Sequence, residues 1–155
     1  MPRTRTVSCV AAFALCLASA ADAATQSERE AALLQAVNAT RAVHGLRSLQ
    51  VDERLEVAAR DHSESLLRRD VLSHGALRAR LATYAAHGPT FGENLAWGVG
   101  SKSAPDEIVR MWLASSGHRA NLLRPGWRRV GIGAPVGTFA GHRNATVVTA
   151  DFAGT

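Results

Sequence analysis

The sequence predicts a mixed α+β domain in which helices flank a small antiparallel sheet. Three stretches of the 155 residues carry apolar side chains at helical spacing, around 28–44, 52–69 and 103–117. The C-terminal quarter then changes character, to short β-branched runs separated by a glycine-bearing connection. No internal repeat and no linker divides the chain, so one domain is expected.

The first 23 residues read as an export signal. Arg3 and Arg5 form a basic n-region, Val7 to Leu17 an apolar h-region, and Ala18-Ser-Ala20 and Ala21-Asp-Ala23 are small-x-small cleavage sites. The apolar run is about a dozen residues, short of the ~20 that span a bilayer, so no retained membrane anchor is expected. Cys16 follows the bulky Leu15, where lipid attachment would require a small residue. Cleavage would remove both cysteines, Cys9 and Cys16, leaving a 28–155 domain whose stability rests on packing alone. The expectation is an exported, monomer-sized single domain, periplasmic or secreted, with its oligomeric state open.

Helix one is expected from Ser27 or Glu28 to about His44. Glu28 and Glu30 suit its first turn, Leu33, Val37 and Thr40 form one face, and Gly45 closes it. Asp52 can cap a second helix running to about Arg69, with an inward stripe of Leu55, Ala59, His62 and Leu66. On that stripe His62 reads as a core histidine satisfied by a backbone carbonyl. Residues 72–89 read as a loop enclosing a short helix around Ala76 to Ala86. Ser103-Ala-Pro-Asp106 reads as a capping box opening a third long helix, with Ile108, Met111, Trp112 and Ser115 inward and Gly117 as its stop. Strands are expected around Gly92 to Gly98, Val130 to Val136 and Thr146 to Phe152, with Thr138 to Asn144 as a connection.

Removing Arg3, Arg5 and Asp22 with the signal leaves 16 basic and 12 acidic residues, a net +4. Lys102 is the only lysine, and the arginines are scattered from Arg29 to Arg143. A nucleic-acid protein concentrates its cations on one stripe with interleaved aromatics, so no nucleic-acid partner is expected.

Three ionisable side chains stand among glycines and apolar residues: His74 in Leu72-Ser-His-Gly75, Glu93 in Phe91-Gly-Glu-Asn-Leu-Ala-Trp-Gly98, and His118 in Ser116-Gly-His-Arg-Ala-Asn-Leu-Leu123. A carboxylate beside a core must be hydrogen-bonded, paired or metal-bound. Their separations of 19 and 25 residues put no two on one helix, so spacing alone leaves separate roles open. His74 could cap a loop, Glu93 could accept backbone N–H groups, and His118 could cap the carbonyl end of its helix.

These segments, in this order, resemble the CAP superfamily, also called SCP/TAPS, of cysteine-rich secretory, antigen 5 and pathogenesis-related 1 proteins. The likeness runs from about Glu28 to Phe152 and is nearest to the disulfide-free bacterial type. The resemblance implies a three-layer α–β–α sandwich with a central cavity lined by His74, Glu93 and His118. It also implies that Asn38, Arg41 and Gly45 tie the end of helix one to the core. Asn94 and Asn121 would bridge backbone groups beside the cavity, and Trp97 and Trp112 would be core residues. Many eukaryotic members carry a second glutamate where this chain has Ser115, the one hydroxyl that would line the cavity. Two imidazoles and one carboxylate suit a divalent cation, zinc foremost, with an open fourth position. They equally suit a metal-free hydrogen-bonded network. The expected function is a secreted binding module whose cavity takes a lipid, peptide or cell-envelope ligand or a divalent metal. The alternative is a metal-dependent hydrolase or peptidase, with Glu93 as base and His74 and His118 holding the ion.

Overall fold

The computed structural model describes residues 10–154, with side chains from Thr25 onward; Arg3, Arg5 and Cys9 of the expected signal lie outside the described residues. Helix α1 runs Val10–Val43, so it begins well before the expected Ser27 or Glu28. The alanine-rich sequence from 11 to 42 contains neither glycine nor proline, and nothing in it breaks a helix. Its end is as expected: Gly45 takes φ 68° and the Leu46 N–H reaches back to the Arg41 carbonyl at 2.9 Å. No helix among the described residues is long and apolar enough to cross a membrane.

Helix α2 (Glu53–Arg69) follows a two-residue strand, β1 (Gln50–Val51). Asp52 is its N-cap and accepts from the backbone N–H groups of Arg54 and Leu55. The whole predicted stripe of Leu55, Ala59, His62 and Leu66 is buried. The short helix expected near 76–86 is α3 (Leu77–Thr83), followed by β2 (Phe91–Val99).

The third long helix departs from expectation at both ends. Ser103 does not cap it: its hydroxyl donates to the Gly100 carbonyl at 2.6 Å, within a 3-10 turn at Gly100–Ser103. Ala104 takes the cap position and Pro105 opens α4 (Pro105–Ala114), where a missing N–H has no cost. At the other end, Ser115 stops the helix by adopting extended angles (φ −99°, ψ 124°), and Gly117 falls inside a further helix, α5 (Ser116–Leu122).

Strand β3 (Trp127–Gly133) stops short of Val136, because Pro135 has no N–H to give a ladder. Val136 instead opens β4 (Val136–Phe139) inside a stretch partly read as connection. A tight turn at Ala140 (φ 50°) and Gly141 (φ 77°) then leads into β5 (His142–Gly154). The sheet order is β1-β3-β5-β2, with β4 also on β5; β1 joins β3 in parallel and all other pairs are antiparallel.

Alternation along β5 builds the layers. Val148, Ala150 and Phe152 face one way, against Leu33 and Val37 of α1, Ile108 and Trp112 of α4, and Leu122 of α5. Ala145, Val147 and Ala153 face the other, against Leu55 and Leu66 of α2 and Leu81 of α3. The result is the expected α–β–α sandwich. A Cβ on Gly131 would lie 2.0 Å from the Leu55 carbonyl carbon, and one on Gly133 2.4 Å from the Ala59 oxygen. The Gly-x-Gly of β3 thus lets the α2 backbone rest directly on the sheet.

Two buried charges fasten the layers. Arg41 donates from Nε to the Arg47 carbonyl (3.0 Å) and from Nη1 to that of Leu122 (2.8 Å), while Asn38 exchanges two hydrogen bonds with the Leu49 backbone. This is the tie expected at the end of helix one. Glu30, read only as a first-turn acid, is buried within α1, where it pairs with Arg60 at 2.5 Å and accepts from the Ala134 N–H at 3.1 Å.

Candidate functional site

The site grows from β2 and β5. Glu93 and Asp151 are direct partners in that ladder, and both side chains face the α2–α3 layer, as do Leu95 and Val147. The Glu93 side chain is 1 % exposed and that of Asp151 is fully buried. Like charges directly opposite on neighbouring strands repel, and burial magnifies the effect. Arg80, on α3, resolves the conflict: its guanidinium donates from Nη1 and Nη2 to both Asp151 oxygens, at 2.7 and 3.0 Å, and from Nη2 to Glu93 Oε2.

The second Glu93 oxygen faces the loop after α2. Oε1 lies 2.6 Å from Nδ1 of His74, whose ring is 57 % exposed. His62 completes the group from α2, with Nε2 3.1 Å from the Ser73 carbonyl and 3.5 Å from Glu93 Oε2. The carbonyl partner expected for His62 is therefore present, and it also anchors the loop that carries His74.

The electrostatics follow from this packing. Burial, reinforced by the negative charge of Asp151, raises the Glu93 carboxyl to about 8; burial raises Asp151 as well. The Glu93 carboxyl therefore holds its proton at neutral pH, which relieves the repulsion between the opposed pair. Burial and then the nearby Arg80 lower His62 to about 4, so its ring is neutral.

Of the predicted residues, the structure joins His74 directly to Glu93. His118 sits in the first turn of α5 and is coupled to them less closely: burial, then the charge of His74, lowers its imidazole, and its backbone carbonyl accepts from Asn94 Nδ2 at 3.0 Å. Asn121 donates to the Glu93 carbonyl at 2.8 Å and to Asn94 Oδ1 at 3.2 Å, so both asparagines bridge as expected. Ser115 is the hinge between α4 and α5, and its hydroxyl makes no capping bond. Trp112 is core, 1 % exposed, with its indole N–H on the Leu95 carbonyl at 3.0 Å. Trp97 is only half-buried.

The residues missed by sequence reading are Arg80 and Asp151. Asp151 had a signal, being a carboxylate inside the apolar run from Val147 to Phe152. Arg80 had none among the scattered arginines.

The Glu93 carboxyl, as arranged, does not fit a resident divalent cation. Both Glu93 oxygens are engaged, by His74 and by Arg80, and the guanidinium already stands where a second cation would approach. Among the described residues no three His, Cys, Asp or Glu side chains are placed to hold a metal ion.

Residues 34–152 match the profile of the cysteine-rich secretory protein family, CAP. The Bacillus subtilis proteins YkwD and YlbC are each 32% identical to the chain, over 112 and 113 residues that cover 69% and 70% of it. Those matches cover 42% of YkwD and 32% of YlbC, so the chain spans less than half of either relative. Among solved structures, an extracellular SCP-domain protein of Bacillus anthracis superposes with a TM-score of 0.71 at 24% identity, covering 84% of this chain and 41% of that one. An outer surface protein of Borrelia burgdorferi gives a TM-score of 0.71 at 20% identity, covering 83% and 94%. These two likenesses establish the fold, and with the profile match over most of its length the chain belongs to the CAP family of cysteine-rich secretory proteins.

Proposed function

We propose that the chain is an exported binding module whose ligand meets the exposed ring of His74. The observation that carries this reading is the contact between that ring and a carboxyl that is 1 % exposed, at 2.6 Å. A buried partner fixes the imidazole in one orientation while its outer edge faces solvent, which is the arrangement of a pre-organised recognition group. Export is supported by the basic, apolar and small-residue order of the first 23 residues. It is also supported by likeness to proteins described as extracellular and outer-surface.

The metal-dependent hydrolase alternative requires Glu93 as a free base beside an ion held by His74 and His118, and both Glu93 oxygens are already engaged, by His74 and by Arg80. The ligand class in view is therefore organic, a lipid or an envelope polymer or peptide. Co-sedimentation of the protein with isolated cell-wall sacculi and with anionic phospholipid vesicles tests the reading. Wild-type protein should pellet with one of the two, and His74→Ala should stay in the supernatant with an unchanged circular dichroism spectrum. Equal sedimentation of His74→Ala and wild type would refute the assignment.

A further inference from the structure

A groove lies further along β2, lined by none of the residues of the His74 cluster. Strand β2 is an edge of the sheet, paired only with β5. Side chains staple its outer side: Asn121 donates to the Glu93 carbonyl at 2.8 Å, and Trp112 to the Leu95 carbonyl at 3.0 Å. Ladder geometry alternates, so the backbone of Trp97 points outward in the same sense. There the stapling stops, since no side chain among the described residues donates to the Trp97 carbonyl. The strand leaves an open N–H and C=O beside a groove of about 370 Å³, lined by Trp97, Gly98, Val99, Lys102, Met111 and His142.

The groove has a defined chemistry. Its apolar walls are Val99, Met111 and the half-buried indole of Trp97, which packs against Phe139 (centroids 5.3 Å apart) and His142 (5.7 Å). Gly98 lets the 3-10 turn close over the strand: a Cβ there would lie 2.2 Å from the Lys102 carbonyl oxygen. The turn so placed brings Lys102, the single lysine of the chain, to the groove, where its ammonium is exposed and in no ion pair among the described residues. Glu107 is the acid within its electrostatic reach, and that carboxylate is hydrogen-bonded to Arg110.

From these groups we infer that the groove captures the C-terminal residues of an extended peptide. A terminal carboxylate would pair with Lys102. The peptide's last amide would hydrogen-bond the free edge at Trp97, as in strand addition, and an apolar side chain would lie across Trp97 and Met111. A charged acceptor, a backbone edge and an apolar wall match the three parts of a peptide terminus, whereas a lipid would leave the strand edge unpaired. The groove sits at the small end of ligand sites, which run from ~300 to 1,000 Å³, and suits a terminus rather than a long segment.

Tryptophan fluorescence reads this directly, because Trp112 and Trp127 are 1 % and 0 % exposed and Trp97 is the tryptophan facing the groove. The probes are N-acetyl-Gly-Leu-Leu with a free carboxylate and the same peptide amidated. The acid should give a saturable change, and amidation or Lys102→Gln should each weaken binding about tenfold or more, the loss expected for one hydrogen bond to a charged group. His74→Ala should bind the peptide as wild type does, which separates this site from the proposed function. Absence of saturation, equal binding of acid and amide, an unaffected Lys102→Gln variant, or loss of binding in His74→Ala would each overturn the assignment.

Discussion

Glu93 and Asp151 stand directly opposite one another on β2 and β5, two buried carboxyls that share the guanidinium of Arg80. That relationship makes α3 more than a connection. It is the arm that brings a cation to the sheet, and through Glu93 it sets the position of the exposed His74.

Removing the arm should therefore be costly. Arg80→Met leaves two buried carboxyls without their partner, and breaking a buried pair in this way generally costs about 3–5 kcal/mol. Chemical denaturation should show that loss. Adding Asp151→Asn and Glu93→Gln to Arg80→Met should recover part of it; a triple variant no more stable than Arg80→Met would show that the charge balance is not the cause.

The pH dependence has two opposed parts. Glu93 is raised to about 8 in the folded state, so its contribution is full below the ordinary glutamate range, near 4.5, and is lost as pH rises through 8. His62 is lowered to about 4, so its contribution is full above 6.5 and is lost as pH falls through 4. Denaturation midpoints measured from pH 4 to 8.5 should fall at both ends. Glu93→Gln should flatten the alkaline limb and His62→Asn the acid one. An alkaline limb unchanged in Glu93→Gln would contradict a raised Glu93 carboxyl.

Much of this architecture was legible beforehand, and the misses have physical causes. Asp52 and the stripe from Leu55 to Leu66 gave α2 its start and its inward face, because cap and periodicity agree there. Strand β4 was hidden because Val136 reads as the end of the preceding strand and Thr138 onward as connection, while its partner residues lie on β5 and no local pattern records them. The end of α4 was misplaced by two residues: Gly117 carries the usual stop signal, yet Ser115 breaks the helix through its backbone. At the site, motifs pointed to His74 and Glu93, but Arg80 became visible only once α3 had been folded against the sheet.

Packing against α2 supplies a sharp test of the fold. Gly131→Ala places a methyl group 2.0 Å from the Leu55 carbonyl carbon, in backbone that cannot swing aside. Overpacking of this kind costs ~1–3 kcal/mol or more. A thermal melt indistinguishable from wild type would contradict the close approach of helix and strand.

Trp112 offers the corresponding core test. Trp112→Ala should cost about 3–5 kcal/mol, as truncation of a buried aromatic does. It also frees the Leu95 carbonyl on the sheet edge. Wild-type stability combined with lost ligand binding would turn this residue from core into contact surface.

The central claim is that a guanidinium, rather than a metal ion, supplies the positive charge at Glu93, leaving His74 free to bind an organic ligand. Calorimetric titration of the wild-type protein with zinc at pH 7 tests it most directly. The account predicts no one-to-one binding and no gain in stability. Stoichiometric zinc binding that is lost in both His74→Ala and His118→Ala, with stabilisation near 2.7 kcal/mol at a hundredfold excess over the dissociation constant, would contradict it.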